Sequence, residues 1–222
     1  MKILSVDTTS PRGSICFARD GEVLGEIRLA SSVQHSERLF RSIEFLLDYL
    51  PFGLDGVDLF VAARGPGSFT GLRVGLAAME GFAAAHERPA AGVSNLEALA
   101  WKTGPRQELI APVIDARRGE VYAALYRRTS VGLVEQRAPG AFKPESWFQF
   151  LPDEAITFCG DGAARYREFI SRPAWLYYNM DLYLAGAIAD MAANGHFGPL
   201  QPMYVRRTDA EIARERVETR PL

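Results

Sequence analysis

DLFVAARGPGSFTGLRVGLAAMEGFAAAH, residues 58–86, decides the fold. Residues 58–63 carry the apolar run of a buried strand, Gly65, Pro66 and Gly67 force a turn, and Thr70 stands where an N-cap would open a helix. A strand, a glycine loop (Gly65, Pro66, Gly67, Ser68, Phe69, Thr70) and a helix therefore follow one another. Gly71, Gly75 and Ala78 fall at i, i+4 and i+7, a stripe almost without side chains. With Gly81, these glycines each cost roughly 1 kcal/mol of helix propensity relative to alanine, so something must approach that backbone closely.

Three readings account for the loop and stripe. Backbone N–H groups at a helix N-terminus bind phosphate, but the spelling departs from GxGxxG and lacks the lysine of a P-loop. The small stripe could pack the helix onto its own sheet. It could instead admit a helix of another chain, with Arg73, Leu76, Met79 and Glu80 as rim.

Working outward, residues 2–9 read as a strand ending in Asp7, Thr8 and Thr9, residues 14–19 as a second, and residues 22–29 as a third after an Asp20-Gly21 hairpin turn. Ser31 or Ser32 can cap a helix whose Leu39, Phe40, Ile43, Leu46, Leu47 and Leu50 keep the helical period until Pro51. Residues 89–94 give a short strand and Asn95 a cap for the next helix. The order is βββαβαβα. Gly104-Pro105 marks a lobe boundary, and the order nearly repeats beyond it: strands at 109–115, 120–127, 132–137, 155–159 and 175–178, helices at 144–151, 161–170 and 181–194. Asp7 and Asp115 end the first strand of each half. The expected division is 1–103, a second lobe at 104–180, a closing helix at 181–198 that packs on lobe one, and a charged tail at 199–222, loose or ordered against a partner from Arg206 onward.

The 222 residues are 48% hydrophobic, enough for a sizeable core, and the net charge of −2 argues against a free-standing nonspecific nucleic-acid binder. Cys16 and Cys159 fit no metal spacing and read as reduced core thiols. No export signal or apolar run of membrane-spanning length is present, so the expected compartment is the cytoplasm, without membrane association. His86 and His196 fall at helix ends. Ser68 lies outside any GxSxG pattern, which gives a peptidase reading no support.

The doubled βββαβαβα order with Asp-Thr-Thr after the first strand resembles the actin-like ATPase superfamily, an α/β, two-lobed, ribonuclease H-like fold with the second lobe reduced. ILSVDTTS at residues 3–10, GPGSFTGLRVG at 65–75, DARRGEVYAALY at 115–126 and PMYVR at 202–206 narrow the resemblance to the TsaB (YeaZ) family, over nearly the whole chain. That resemblance implies a noncatalytic subunit of the tRNA threonylcarbamoyladenosine machinery, which pairs with the transferase TsaD, is joined by the ATPase TsaE, meets tRNA only within the complex and forms a homodimer alone. It implies no cofactor.

The residues suit a silent partner. TsaD-like relatives carry a metal-binding HxxxH on the first helix, whereas here His35 is followed four residues later by Leu39, and no metal site is expected. Pro11 and Arg12 stand in one phosphate turn, and the turn after Asp115 has no second glycine, so Asp7, Thr8, Thr9, Asp115 and the Gly160 turn are read as a vestigial nucleotide cleft. The expected partner interface joins helices 34–49 and 71–85 through His35, Arg38, Leu39, Gly71, Arg73, Gly75, Leu76, Ala78 and Met79. The competing expectation is an ATP-dependent transferase or kinase of the same fold.

Overall fold

The computed structural model of the chain describes residues 1–30 and 35–206, with the backbone alone for residues 35–37. The helix start expected at Ser31 or Ser32, and the charged segment 207–222, lie outside the described residues. One sheet is built from β1 (Lys2–Asp7), β2 (Arg12–Arg19), β3 (Glu22–Ala30), β4 (Leu59–Ala63) and β5 (Ala90–Val93), in the order β3-β2-β1-β4-β5. The second is built from β6 (Leu109–Arg117), β7 (Glu120–Thr129), β8 (Gly132–Phe142), β9 (Ile156–Cys159) and β10 (Trp175–Tyr177), in the order β10-β9-β6-β7-β8. Read from the third strand of each set, the two orders coincide, so the duplication suggested by Asp7 and Asp115 is present in the strand pairing.

The helices among the described residues are α1 (His35–Leu47), α2 (Phe69–His86), α3 (Asn95–Lys102), α4 (Pro144–Gln149), α5 (Asp161–Arg165) and α6 (Ala185–Ala193). Strand alternation divides β1 between two cores: Ile3 joins the core between the sheets, while Leu4 and Val6 join the core under α1 and α2. The lobes exchange helices. α6, the last helix among the described residues, packs across every strand of the first sheet, and α3 of the first half packs on β6, β7 and β8. Ser5 Oγ donates to the Ala185 carbonyl at 2.7 Å, and Ser14 Oγ accepts from the Ala185 N–H at 3.0 Å, which fixes α6 to lobe one. Cys16 and Cys159 are buried on this inter-sheet side, and burial pushes both thiols up to about 12.

Several boundaries move. Ser68, not Thr70, caps α2, and Ser94, not Asn95, caps α3; each has extended backbone and a hydroxyl that accepts from the N–H three residues on. β8 continues to Phe142, and the helix expected over 161–170 is α5 followed by a 3-10 turn at Arg167–Phe169. Residues 199–206 are tied to the body of the chain. Gly198 exchanges backbone hydrogen bonds with Gly92 at 2.9 Å, the Met203 N–H donates to the Arg64 carbonyl at 2.7 Å, and Tyr204 stacks on Phe69. Arg206 then reaches lobe two, donating to the Ala116 carbonyl at 2.9 Å and pairing with Glu120 at 2.7 Å. PMYVR is a strap across both lobes.

The glycine stripe meets its own sheet. A Cβ on Gly71 would stand 1.9 Å from the Thr8 carbonyl oxygen, and one on Gly75 2.6 Å from Thr8 Oγ1, whereas Gly81 has nothing within 4 Å. Gly71→Ala should therefore lower the unfolding free energy by at least about 2 kcal/mol, through overpacking against backbone. Gly81→Ala should raise it by roughly 0.5–1 kcal/mol. Urea denaturation of both variants checks this; equal and small effects would remove the close approach as the reason for the stripe.

Candidate functional site

The ends of β1 and β6 face a cavity between the lobes of about 370 Å3, lined among others by Asp7, Thr9, Ser10, Arg12, Pro66, Asn95, Ile114, Arg117 and Asp161. A second of about 230 Å3 shares Arg12, Asp161 and Leu182 with it. Of the residues expected at a cleft, Asp7 and Thr9 line the first cavity and Gly160 the second, whereas Thr8 and Asp115 line neither.

Both carboxylates are engaged in holding the chain. Asp7 is buried, and its Oδ1 accepts from the Thr9 N–H at 2.9 Å and from Thr9 Oγ1 at 2.6 Å. Thr9 Oγ1 accepts in turn from Asn95 Nδ2 at 2.6 Å, and Asn95 Oδ1 accepts from the Gly65 N–H at 2.8 Å. One chain of hydrogen bonds thus ties the first-strand turn to the glycine loop and to α3. Thr8 turns the other way, donating to the Gly71 carbonyl at 2.6 Å. Asn95, placed in the sequence only as a cap, is the hub of this network.

In lobe two, Asp115 Oδ2 accepts from Arg165 Nη1 at 2.9 Å with Arg117 Nη1 at 3.5 Å, and Oδ1 accepts from the Arg117 N–H at 3.0 Å. Asp115 raises the pKa of the Arg165 guanidinium, chiefly through its charge. Gly160 serves the same end as Gly71: a Cβ there would lie 2.2 Å from the Val113 carbonyl oxygen. Asp161 Oδ1 accepts from the Asp115 N–H at 3.0 Å. The GDGA turn is a helix pressed onto the first strand of its lobe, the counterpart of GPGSFTG.

Ser68 is spent as the α2 cap. His86 lies against Phe60, His196 packs on Trp101 at 4.9 Å, and of His35 only the backbone is described. Among the described residues no group of three or more His, Cys, Asp or Glu could hold a metal ion, and no helix is long and apolar enough to cross a membrane.

The expected interface residues divide. Leu39, Leu76, Ala78 and Met79 are buried in the core under α1 and α2, and Gly71 and Gly75 are covered by Thr8. They do not offer a surface, which corrects the expectation that the small stripe itself receives another chain. Arg38 and Arg73 reach solvent, the latter over the Phe69 ring at 3.9 Å. What α1 and the turn after it expose instead is aromatic: Phe40 at 49%, Phe45 at 54% and, in the turn, Tyr49 at 75%. Phe40 meets Phe82 of α2 edge-on, and Phe45 pairs with Tyr49. A groove of about 450 Å3 between α1 and β3, lined by Ile27, Leu29, Arg38, Arg41, Ser42 and Phe45, borders this patch. The helical period counted Phe40 with the core. Phe45 and Tyr49, four residues apart on the opposite flank, were the available signal.

The model of the family described as TsaD, tRNA N6-adenosine threonylcarbamoyltransferase, matches residues 28–195. A Bacillus subtilis protein named tRNA threonylcarbamoyladenosine biosynthesis protein TsaB is 32% identical over 77% of this chain and 75% of its own length. The Escherichia coli protein of the same name is 34% identical over 65% of this chain and 64% of its own length. A Pseudomonas aeruginosa crystal structure, described as an uncharacterized protein with similarity to peptidase YeaZ, superposes with a TM-score of 0.79 at 26% identity, covering 92% of this chain and 99% of that one. The fold is the two-lobed actin-like one.

If Asp7 is a strut, Asp7→Ala should lower the unfolding free energy by about 1–3 kcal/mol, because the Thr9 N–H and hydroxyl lose a buried acceptor. Asp7→Asn, which keeps an Oδ1 acceptor, should cost less. Chemical denaturation reads both, and an Asp7→Ala variant as stable as the parent would return this carboxylate to the ligand-binding candidates.

Proposed function

Because this chain belongs to the TsaB (YeaZ) family of tRNA threonylcarbamoyladenosine biosynthesis proteins, we propose that it acts in that modification as a noncatalytic subunit that pairs with TsaD and supports the transfer of threonylcarbamoyl to tRNA adenosine. The observation that carries the reading is the engagement of both first-strand carboxylates, Asp7 and Asp115, within the chain. A Mg-nucleotide site requires carboxylate oxygens open to the hydrated metal and backbone donors open to phosphate. Here Asp115 is held by Arg165 and Arg117, and Asp7 by Thr9. The matched family model describes a transferase, yet these contacts favour support over chemistry in this member. Ser68, committed to capping, gives the peptidase description of the Pseudomonas protein no footing here.

The pairing surface proposed is the exposed face of α1 and the turn that follows it, with the adjoining flank of α2: Phe40, Phe45 and Tyr49, rimmed by Arg38 and Arg73. Exposed aromatics on a helix face beside a groove supply the rigid apolar area on which helix pairs dock. The same surface would pair two copies when the chain is alone, and TsaE and tRNA would join only the assembled complex.

Light scattering after size exclusion, on the chain alone and mixed with TsaD of the same organism, tests this alongside transfer to unmodified tRNA. A homodimer exchanging into a heterodimer, with transfer only in the mixture, is the expected result. Phe45→Glu should weaken pairing at least about tenfold without changing thermal unfolding. ATP turnover or transfer by this chain alone would overturn the noncatalytic reading, and undiminished pairing of Phe45→Glu would move the interface elsewhere.

A further inference from the structure

Three guanidiniums gather where the chain leaves the second sheet. Arg167 stands over the Tyr177 ring at 5.1 Å, and Arg106 over the Tyr178 ring at 3.6 Å. Tyr177 ends β10, an edge strand of that sheet, and Tyr178 prolongs the strand by donating its N–H to the Phe158 carbonyl at 2.8 Å. Successive residues of an extended strand point to opposite faces, so the two cations flank one sheet edge from either side. Arg12 lines the cavity of about 230 Å3 that Tyr177 also lines, which brings a third guanidinium to the same place. All three arginines are exposed.

Among the described residues none of the three side chains forms an ion pair, and the one hydrogen bond they make runs from Arg106 Nε to the Thr103 carbonyl at 3.2 Å. The acids nearby are held elsewhere: Asp115 by Arg165 and Arg117, Asp161 by the Asp115 N–H, and Asp181 by Lys102 and Arg28. Glu168, exposed beside Arg167, stands against the three cations. The whole chain carries −2, so this edge departs from the rest of the surface. A guanidinium over a ring keeps its N–H groups free at the rim for phosphate oxygens and offers its outer plane for stacking. An acidic peptide would use the charge and leave the planes idle. An unpaired stretch of RNA uses both, because phosphates take the N–H groups and bases stack on arginine and tyrosine planes.

We propose that the edge formed by Arg12, Arg106, Arg167, Tyr177 and Tyr178 is the face by which this subunit touches tRNA, taking phosphates of an unpaired stretch on its guanidiniums and a base on the Arg106–Tyr178 stack. The inference rests on the reading that the chain serves tRNA modification, and it names the surface. The pairing face proposed on α1 belongs to lobe one, so both contacts can be made at once. Three phosphate contacts on a chain of net negative charge are few, and the chain alone holds RNA only at low salt.

Ultraviolet cross-linking to unmodified tRNA, read by mass spectrometry of the labelled peptides, tests this on the full-length chain alone at low salt and on its mixture with TsaD. The peptide bearing Tyr177 and Tyr178 should be labelled in both. Arg106→Gln/Arg167→Gln should cut that labelling at least about fivefold and flatten the slope of log affinity against log salt by roughly 1.4–1.8, as expected for two lost phosphate contacts. Thermal unfolding and pairing by light scattering should stay unchanged in this variant. Arg19→Gln, which removes an exposed guanidinium at the end of β2 in lobe one, should alter neither labelling nor slope. Labelling confined to other peptides, a double variant labelled like the parent, or polyglutamate competing as well as an RNA of equal charge would each overturn the proposal, the last by assigning the edge to an acidic protein. A chain that fails to pair with TsaD would overturn the function proposed above and not this face, which the low-salt labelling of the chain alone decides.

Discussion

Thr8 Oγ1 donates to the Gly71 carbonyl at 2.6 Å, and the remaining contacts of lobe one depend on this one. A helix can approach the end of a strand that closely only where it carries no Cβ, so residues 71 and 75 must be glycine. The helix, so placed, delivers the loop before it: the Ser68 N–H meets the Thr9 carbonyl at 2.7 Å, and Gly65 comes within reach of Asn95. The Asp7–Thr9–Asn95 network then closes. Lobe two repeats the device with Gly160 and Gly162 on the end of β6. The glycines weaken the helix and strengthen the fold, because the lost propensity is local and the gained contacts are between elements.

Rigidity between the lobes comes from exchange. α6 covers the first sheet and α3 the second, and they touch between them, so neither lobe has a complete core without the other. Trp101 Nε1 donates to Asp190 Oδ2 at 2.7 Å across this contact, and Lys102 donates to the Tyr183 carbonyl at 2.7 Å. Burial pushes the Glu97 carboxyl upward, against the opposing pull of Arg64 and His196, in the same seam. The strap at residues 196–206 adds a third tie. The shared helices and the strap together tie the two lobes at three places.

The order of elements along the chain and their duplication were legible because period-2 alternation and glycine-proline punctuation are local properties. The caps were off by one or two residues, since Ser68, Thr70, Ser94 and Asn95 are all competent caps and only backbone direction selects among them. The small stripe announced a close approach but not its partner. A sequence shows that Gly71 and Gly75 lack side chains, and only the fold shows that Thr8 fills the space. The aromatic face of α1 was hidden because Phe40 satisfies the same helical period as Leu39 and Ile43 within one residue. The strap was missed for a different reason: Met203, Tyr204 and Arg206 act through backbone bonds, one stacked ring and one guanidinium, none of which leaves a periodic trace.

The two first-strand aspartates hold equivalent places in the two lobes and are each tied to their own turn. In this chain, threonine beside one and arginines beside the other satisfy them within the protein, and a buried or half-buried carboxylate with protein donors stabilises the turn that it caps. Arg117 contributes through backbone as well as side chain. Its φ of 61°, followed by Arg118 at 55°, places consecutive non-glycine residues in the left-handed region, a conformation that surrounding contacts must hold. The Arg117 N–H bond to Asp115 and the Arg206 bond to the Ala116 carbonyl are those contacts. Asp115 thus fixes the turn on which the strap at residues 202–206 is anchored.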